Sequence, residues 1–358
     1  MWLCSIRFET ARSVMLDGSS FGSQSYALTI GQFLGRTILE MDGKEHKAYR
    51  RIISDAFSKR AMSEWDSQVI VPTINELIDG WAQNGSADLV ADLTFPLPIR
   101  VIAKLVGLPA ADVEWFQRSA AAMVDLEGNA ESEVQRQRAT AEISDYFRDV
   151  IAERRRSPRS DVISLLITGE VDGQRLDDEE IVSFLRLLLP AGAETIYRAS
   201  GSMLLGLLTH PDQLDLVRND RRLVSAVVEE TLRWEPPIMA IGRTATSRVE
   251  LGGVTISAGS PVHISLGAAN HDERIFSRPE EFDITRPSHP HLAFATGAHT
   301  CLGLQLARAE MAAICTVVFD RLVDIRLSAE ATDVHVAGIA YRSPASVPVV
   351  WTQRDGVI

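Results

Sequence analysis

The chain has 358 residues, of which 46% are hydrophobic and 23% are charged, so it can bury a large core. Its formal net charge of −12 argues against nucleic acid or an anionic membrane as a general partner. No apolar run approaches the roughly 20 residues of a membrane span, and the N-terminus lacks a signal-peptide pattern. Cys4, Cys301 and Cys315 are too scattered to form a disulfide framework, which indicates a reducing cytoplasm.

The first candidate functional segment begins at Asp42, after a strand-like run at residues 2–8 and a short helix. His46 and Arg50 are four residues apart in a predicted helix and therefore share one of its faces. Taken alone, this pair favours an exposed charged face. Residues 62–156 follow, and they are mostly helical by their apolar period.

A long helix is predicted to begin after Asp177, which forms a capping-box pair with Glu180. Its pattern is interrupted in the segment Pro190–Thr195, because Pro and Gly loosen the hydrogen-bond ladder of a helix. Glu194 and Thr195 place an acid and a hydroxyl at this break, where they can hold water and pass protons. By itself, the break is equally consistent with a packing kink and a surface glutamate.

The next predicted helix covers residues 222–235 and carries Glu230 and Arg233 three residues apart. Such a pair can be an exposed ion pair of little energetic weight. Two prolines then end the helix, and Ile238–Ile241 is apolar and extended. Strand-like alternation follows over residues 249–264.

Cys301 lies in a loop that is expected to end in the first turn of a helix over residues 302–319. Gly297 permits a backbone turn that other residues resist. At a helix N-terminus, free N–H groups and the helix dipole favour a thiolate, which suits a soft metal. A buried structural cysteine is the alternative on this evidence alone.

The loop resembles the haem-binding loop of the cytochrome P-450 superfamily. The family pattern has a Phe, a Gly three residues later, a Cys four after that and a Gly two beyond. These places are filled by Phe294, Gly297, Cys301 and Gly303. His299 occupies a position that many bacterial members share, whereas Ala295 stands where they usually have Gly.

Other family motifs occur in order across residues 42–303. The resemblance implies that the haem contacts outside the cysteine loop are His46, Arg50, Ala191 and Arg243, with both arginines and both histidines serving the propionates. Glu194 and Thr195 match the acid–alcohol pair of the oxygen-activation motif that begins at Ala191.

On the other side of the haem, Glu230 and Arg233 match the Glu-x-x-Arg motif that supports the cysteine loop. The resemblance implies that Arg286 ties this pair to the irregular segment before the loop. It also implies that the haem and substrate pocket is lined by Ile238, Met239, Ala240 and Ile241.

The resemblance implies a fold that is mainly α with small β-sheets (α+β), a long central helix and one domain over residues 1–358. It also implies haem b with the Cys301 thiolate as axial ligand and insertion of one atom of O₂ into an apolar organic substrate. Electrons would come from NAD(P)H through a ferredoxin-type partner and its reductase. We expect a cytoplasmic monomer in which Lys47, Arg51 and Arg308 form a basic docking patch for that partner.

Two alternatives stay open. Peroxide-using relatives replace the acid–alcohol pair, often with Arg-Pro, whereas this chain has Glu194 and Thr195. An inactive haem-binding relative is the second alternative. It follows from the apparent absence of the helix and strand that family members normally have before the stretch that starts here at Trp2.

Overall fold

The computed structural model describes residues 3–54, 57, 65–124 and 130–353. Helices dominate these residues and the sheets are small, which confirms the expected fold class. The helices are α1 Phe8–Leu16, α2 Gly31–Leu34, α3 Gly43–Ser54, α4 Val71–Asp79, α5 Pro96–Leu105, α6 Val113–Val124, α7 Ala130–Arg156, α8 Val162–Thr168, α9 Asp178–Leu189, α10 Thr195–Thr209, α11 Pro211–Asn219, α12 Val224–Trp234, α13 Leu266–Asn270 and α14 Leu304–Arg321.

The described strands are short. They are β1 Leu3–Ser5, β2 Phe21–Gly22, β3 Ser86–Asp88, β4 Ala240–Ala245, β5 Val249–Leu251, β6 Val254–Ile256, β7 Pro261–Ser265, β8 Arg326–Leu327, β9 Val336–Ala337, β10 Ser343–Pro344 and β11 Pro348–Val350. The larger sheet has the order β1-β7-β4-β2, in which only β1 and β7 are parallel. A second sheet has the order β3-β11-β8, and the pairs β5-β6 and β9-β10 stand alone.

The strands predicted over residues 249–264 are present as β5, β6 and β7. Gly252 and Gly253 make the turn between the first two, both with positive φ. After the last helix, the apolar alternation of residues 334–351 predicts a terminal hairpin, and the hairpin in the structure is shorter than that. It contains β9 and β10, whereas β11 leaves it to pair with β3 and β8.

Two groups of buried apolar side chains hold the elements together. The main core lies among the helices, and the second lies between the larger sheet and the helices α1 and α13. Helix α10 runs through the main core and packs against both α12 and α14. The central helix therefore contacts the helix that follows the cysteine loop and the helix that carries Glu230.

The central helix is α9, a wide π-type turn at Pro190–Glu194, and α10. Asp177 caps α9 in a capping box with Glu180, as the sequence predicts. Pro190 has no N–H to donate, and the turn widens where that bond is missing. The interruption seen in the sequence is therefore a break in the hydrogen-bond ladder within one continuous helical path. In the parts of the chain that the structure describes, no helix is both long and apolar enough to cross a membrane.

Candidate active site

The cysteine loop is closed on itself and packs against the end of α1. The N–H of Cys301 donates to the carbonyl oxygen of Phe294 at 2.9 Å. Gly297 has a φ of +78°, and a Cβ there would lie 2.6 Å from the carbonyl oxygen of Met15. The loop therefore needs glycine at this position.

The position of Cys301 relative to the next helix differs from the expectation. Helix α14 begins at Leu304, so Cys301 lies in the loop just before the helix and not in its first turn. The intervening residues form a turn at Leu302 and Gly303. The hydrogen-bond donors nearest in sequence to the sulfur are therefore the backbone N–H groups of this turn. The N-terminus of the helix begins only after them.

Opposing influences act on the Cys301 thiol. The side chain of Cys301 is exposed at its surface. The protein groups packed around the sulfur nevertheless desolvate it, and this raises the pKa of the thiol. The N–H of Gly303 and the charges of Arg50 and Arg308 act in the opposite direction and favour the thiolate. A bound metal cation would deprotonate a coordinating thiol outright. The loop can therefore hold a cation at this sulfur.

Two arginines lie near the loop without a carboxylate partner in the described part of the chain. Nη2 of Arg50 donates to the carbonyl oxygen of Thr300 at 2.6 Å. Arg243 is buried on β4, and its Nη1 donates to the carbonyl oxygen of Gly242 at 2.7 Å. Buried guanidinium groups normally have an anionic partner. Both arginines therefore have capacity to bind an anion.

Two histidines from distant parts of the chain meet beside these arginines. The ring centroids of His46 and His299 are 4.2 Å apart. His46 is buried, and its Nε2 has no hydrogen-bond partner among the described residues. Nε2 of His299 lies 3.2 Å from both Asp42 and Ser23. Asp42 was not identified as a site residue from the sequence, although it begins the segment that carries His46.

The local field at this cluster is positive. Burial, together with the nearby His299 and Arg50, lowers the pKa of His46 to about 4. Burial and the charge of Arg243 likewise lower the pKa of His299. An orphaned buried Nε2 and two unpaired guanidinium groups are what the anionic propionates of haem require. The residues present therefore fit haem at this place.

A buried carboxylate whose two oxygens both have arginine partners supports the cysteine loop. Arg233 makes two hydrogen bonds of 2.8 Å to the two carboxylate oxygens of Glu230, and both side chains are buried. Nε of Arg286 lies 3.2 Å from each of the same oxygens. The structure thus brings Glu230, Arg233 and Arg286 together, with α12 holding the pair and the irregular segment after α13 supplying Arg286.

Asn270 links this cluster to the cysteine loop. Its carbonyl oxygen accepts from Arg233 at 3.2 Å, and its Oδ1 accepts from the N–H of Leu292 at 2.8 Å. Leu292 in turn accepts the N–H of Ala295 inside the loop. Nothing in the sequence distinguished Asn270, because its partners are far away along the chain.

Arg308 lies in the wall of this region. It donates to both oxygens of Glu229, at 2.6 and 2.8 Å, and its guanidinium lies 4.7 Å from the ring centroid of Phe294. Burial raises the pKa of Glu229, but Arg308 and His291 outweigh it and lower the pKa to about 2. Arg308 is therefore paired with Glu229 while one third of its side chain stays exposed, and its role in docking a partner remains a prediction.

The other two residues of the expected docking patch are exposed on α3. Arg51 pairs with Asp172 at 3.2 Å, and both side chains are open to solvent. Lys47 is exposed as well. An exposed pair of this kind opens easily, so Arg51 keeps its capacity to contact a partner.

On the central helix, Glu194 and Thr195 lie where the wide turn meets α10. Oγ1 of Thr195 donates to the carbonyl oxygen of Ala191 at 2.8 Å, across the turn. Glu194 accepts a hydrogen bond of 2.7 Å from Nε of Arg198, one helical turn later. Neither Arg198 nor its further partner Ser343 was identified from the sequence.

The residues Ile238–Ile241 are extended, as expected, but they have different surroundings. Ile238 pairs with Tyr341 of the terminal hairpin region. The methyl group of Met239 lies over Gly267, where it leaves no room for a Cβ. Ile241 packs against the second core. Ile241 is only partly buried there, and the lining of a haem and substrate pocket by these four residues remains a prediction.

Comparisons with known proteins agree with this site. A family model described as Cytochrome P450 matches residues 130–323. The cyclomarin C epoxidase CymV of Salinispora arenicola is 38% identical over 311 residues, which is 86% of this chain and 77% of that protein. The nocardicin C N-oxygenase of Nocardia uniformis is 36% identical over 323 residues, which is 88% of this chain and 79% of that protein.

Solved structures give the same result. Substrate-free CYP109E1 from Bacillus megaterium superposes with a TM-score of 0.93 at 27% identity, covering 98% of this chain and 93% of that one. TbtJ1 without ligand gives a TM-score of 0.91 at 33% identity, covering 98% and 91%. With a matching family model, relatives of this identity and a cysteine loop of the family's pattern, the chain belongs to the cytochrome P-450 family.

Proposed function

We propose that the chain binds haem b through the thiolate of Cys301 and inserts one oxygen atom of O₂ into an apolar organic substrate. The other oxygen atom leaves as water, and the electrons come from NAD(P)H through a ferredoxin-type partner and its reductase. The observation that carries the proposal is the set of uncompensated donors beside the cysteine loop, namely His46, Arg50 and Arg243. Metal-binding sulfur and propionate-binding donors in one place suit haem better than a bare ion.

When bound, haem supplies the iron at which O₂ is reduced and from which an oxygen atom reaches the substrate. Arg50, Arg243 and the two histidines would hold its propionates. Glu194 and Thr195 would move protons on the central helix, with the Thr195 hydroxyl held by the carbonyl of Ala191 until it is needed. This pair also favours O₂ over peroxide as the oxidant, since a peroxygenase does not need such a relay.

We limit the proposed substrate class to apolar organic molecules. CYP109E1 has been crystallised with corticosterone, and the resemblance to that complex has a TM-score of 0.91 at 28% identity. We propose steroids as the first class to screen, by the spin-state shift that substrate binding produces. Cyclomarin C is the second candidate to screen, because one relative is named as a cyclomarin C epoxidase.

The test compares two oxidants with the same purified protein. With NADH, ferredoxin and reductase we expect substrate-dependent product, and with hydrogen peroxide alone we expect little. Cys301→Ser should abolish the red-shifted ferrous–CO band of thiolate ligation, whereas Cys4→Ser should keep it. Product from peroxide alone would favour the peroxygenase. A normal band without product from either oxidant would favour an inactive relative.

A further inference from the structure

Arg198 connects the acid of the central helix to the terminal hairpin. It lies on α10, one turn after Glu194, and donates to that carboxylate through Nε at 2.7 Å and through Nη2. Its Nη1 donates to Oγ of Ser343 on β10 at 3.0 Å. The side chains of Arg198 and Glu194 are 22% and 14% exposed, so solvent screens this ion pair only in part.

The donors converge on one oxygen of the carboxylate. Nε and Nη2 of Arg198 both donate to Oε1 of Glu194, and the hydroxyl of Tyr197 lies 3.4 Å from the same oxygen. Oε2 accepts no hydrogen bond from any residue that the structure describes. A bidentate arginine would donate to both oxygens of the carboxylate, as Arg233 does with Glu230. Because Arg198 donates to only one oxygen of Glu194, it fixes the carboxylate and leaves the second oxygen open.

Aromatic rings hold Arg198 in place. Its guanidinium carbon lies 4.8 Å from the ring centroid of Tyr197 and 5.6 Å from that of Tyr341. Both rings remain neutral, because burial raises the pKa of Tyr197 to about 12 and also raises the pKa of Tyr341. Cation–π contact and a serine anchor therefore restrict a side chain that would otherwise be among the most flexible.

We propose that Arg198 is a positioning residue, which holds Glu194 by Oε1 so that Oε2 is the oxygen that exchanges protons with the active site. The proposal rests on the proton-transfer function proposed above for Glu194. Without Arg198, the glutamate side chain can rotate, and the position of its open oxygen is no longer fixed. Through Ser343, the same contact makes the position of the acid depend on the hairpin.

The expected signature is a defect in proton delivery with intact binding. Arg198→Met should lower product formed per NADH by about tenfold, because misplaced catalytic groups lose rate steeply with distance. Peroxide release and the solvent deuterium isotope effect should rise, while haem content and the substrate spin shift stay unchanged. Product from iodosylbenzene, an oxygen-atom donor that needs no proton delivery, should be unaffected.

Two further variants and a control sharpen the test. Arg198→Lys can still pair with Glu194 and should recover part of the yield, while Ser343→Ala should give a smaller loss than Arg198→Met. Arg218→Met removes an arginine paired with Asp215 on α11 and should behave as wild type. A double-mutant cycle between Arg198 and Ser343, read by urea unfolding, measures their contact independently of turnover.

The outcomes separate the two proposals. If Glu194→Gln leaves product per NADH unchanged, the proton-transfer function itself is wrong. If Glu194→Gln uncouples the reaction and Arg198→Met does not, the function stands and Arg198 is not a positioning residue. Equal losses with NADH and with iodosylbenzene would show that Arg198→Met damages the fold or substrate binding, and this would also overturn the proposal.

Discussion

The cluster around Glu230 and the cluster around His46 differ in how completely their charges are compensated. Each oxygen of Glu230 has an arginine partner, and Oε1 also accepts the N–H of Asp283 at 3.0 Å. Around His46, by contrast, a buried nitrogen and two arginines lack anionic partners within the described residues. A closed network stabilises the protein's own backbone, whereas an open one has capacity for a ligand.

The largest effect should come from opening the closed cluster. Arg233→Met removes two hydrogen bonds to Glu230 and three to backbone carbonyl oxygens, although Arg286 still pairs with the carboxylate. Hydrogen bonds to charged groups contribute about 1.5–3 kcal/mol each, so the combined loss is large. We expect little folded protein with haem, and a large fall in the thermal midpoint of what remains. Arg118→Met removes an exposed pair with Glu114 and should change stability by less than about 1 kcal/mol. Similar midpoints for the two variants would contradict the stabilising role assigned to the cluster around Glu230.

Glu310 differs from Glu230, because its buried carboxyl group has no partner among the described residues. It lies on α14, is fully buried, and neither carboxyl oxygen has a partner among the described residues. Burial raises its pKa from 4.5 to about 8. Because the folded state holds this proton more tightly than the unfolded state, its contribution to stability falls as pH rises from about 4.5 towards 8.

Glu310→Gln should remove that pH dependence. Between pH 5 and pH 7, wild type should lose about 2–3 kcal/mol more than the variant, at roughly 1.4 kcal/mol per pH unit. Unfolding in urea at both pH values measures this difference, and Glu273→Gln at an exposed position is the control. Parallel curves for wild type and Glu310→Gln would mean that the carboxyl has a partner in solution.

Sequence reasoning identified the parts of both clusters that depend on local spacing. Glu230 and Arg233 meet because they are three residues apart on a helix, and the break at Pro190 follows from the missing N–H. It missed Asp42, Asn270 and Arg198, whose roles depend on partners up to 257 residues away or on the choice between several possible neighbours. Spacing predicts which residues share a face, but it does not predict what packs against that face.

The open cluster should respond in haem affinity more than in folding. Arg243→Met removes a buried donor, and a hydrogen bond to a charged group contributes about 1.5–3 kcal/mol. Haem retained after dialysis against apomyoglobin should therefore fall by about tenfold or more. The apoprotein should unfold as wild type does, or at slightly higher temperature, since an unpaired charge is gone. Arg248→Met, at an exposed position between β4 and β5, should retain haem normally.

The smallest effect concerns Ala295, which has a φ of +54° within the cysteine loop. This left-handed conformation costs a residue with a Cβ about 1–2 kcal/mol, and the family's usual glycine avoids that strain. Glycine also has a more flexible unfolded state, which costs about 0.5–1 kcal/mol. Ala295→Gly should therefore stabilise the protein by about 0.5–1 kcal/mol, seen as a higher urea midpoint at an unchanged slope.

The matched control for Ala295 is an exposed helical alanine. Ala152→Gly on α7 has the same chemistry but an ordinary helical backbone, so it should destabilise by about 0.5–1 kcal/mol. Opposite signs for the two substitutions would show that the cysteine loop stores strain at Ala295, even though both oxygens of the supporting Glu230 have arginine partners. Destabilisation in both would mean that the loop relaxes in solution and stores no strain at Ala295.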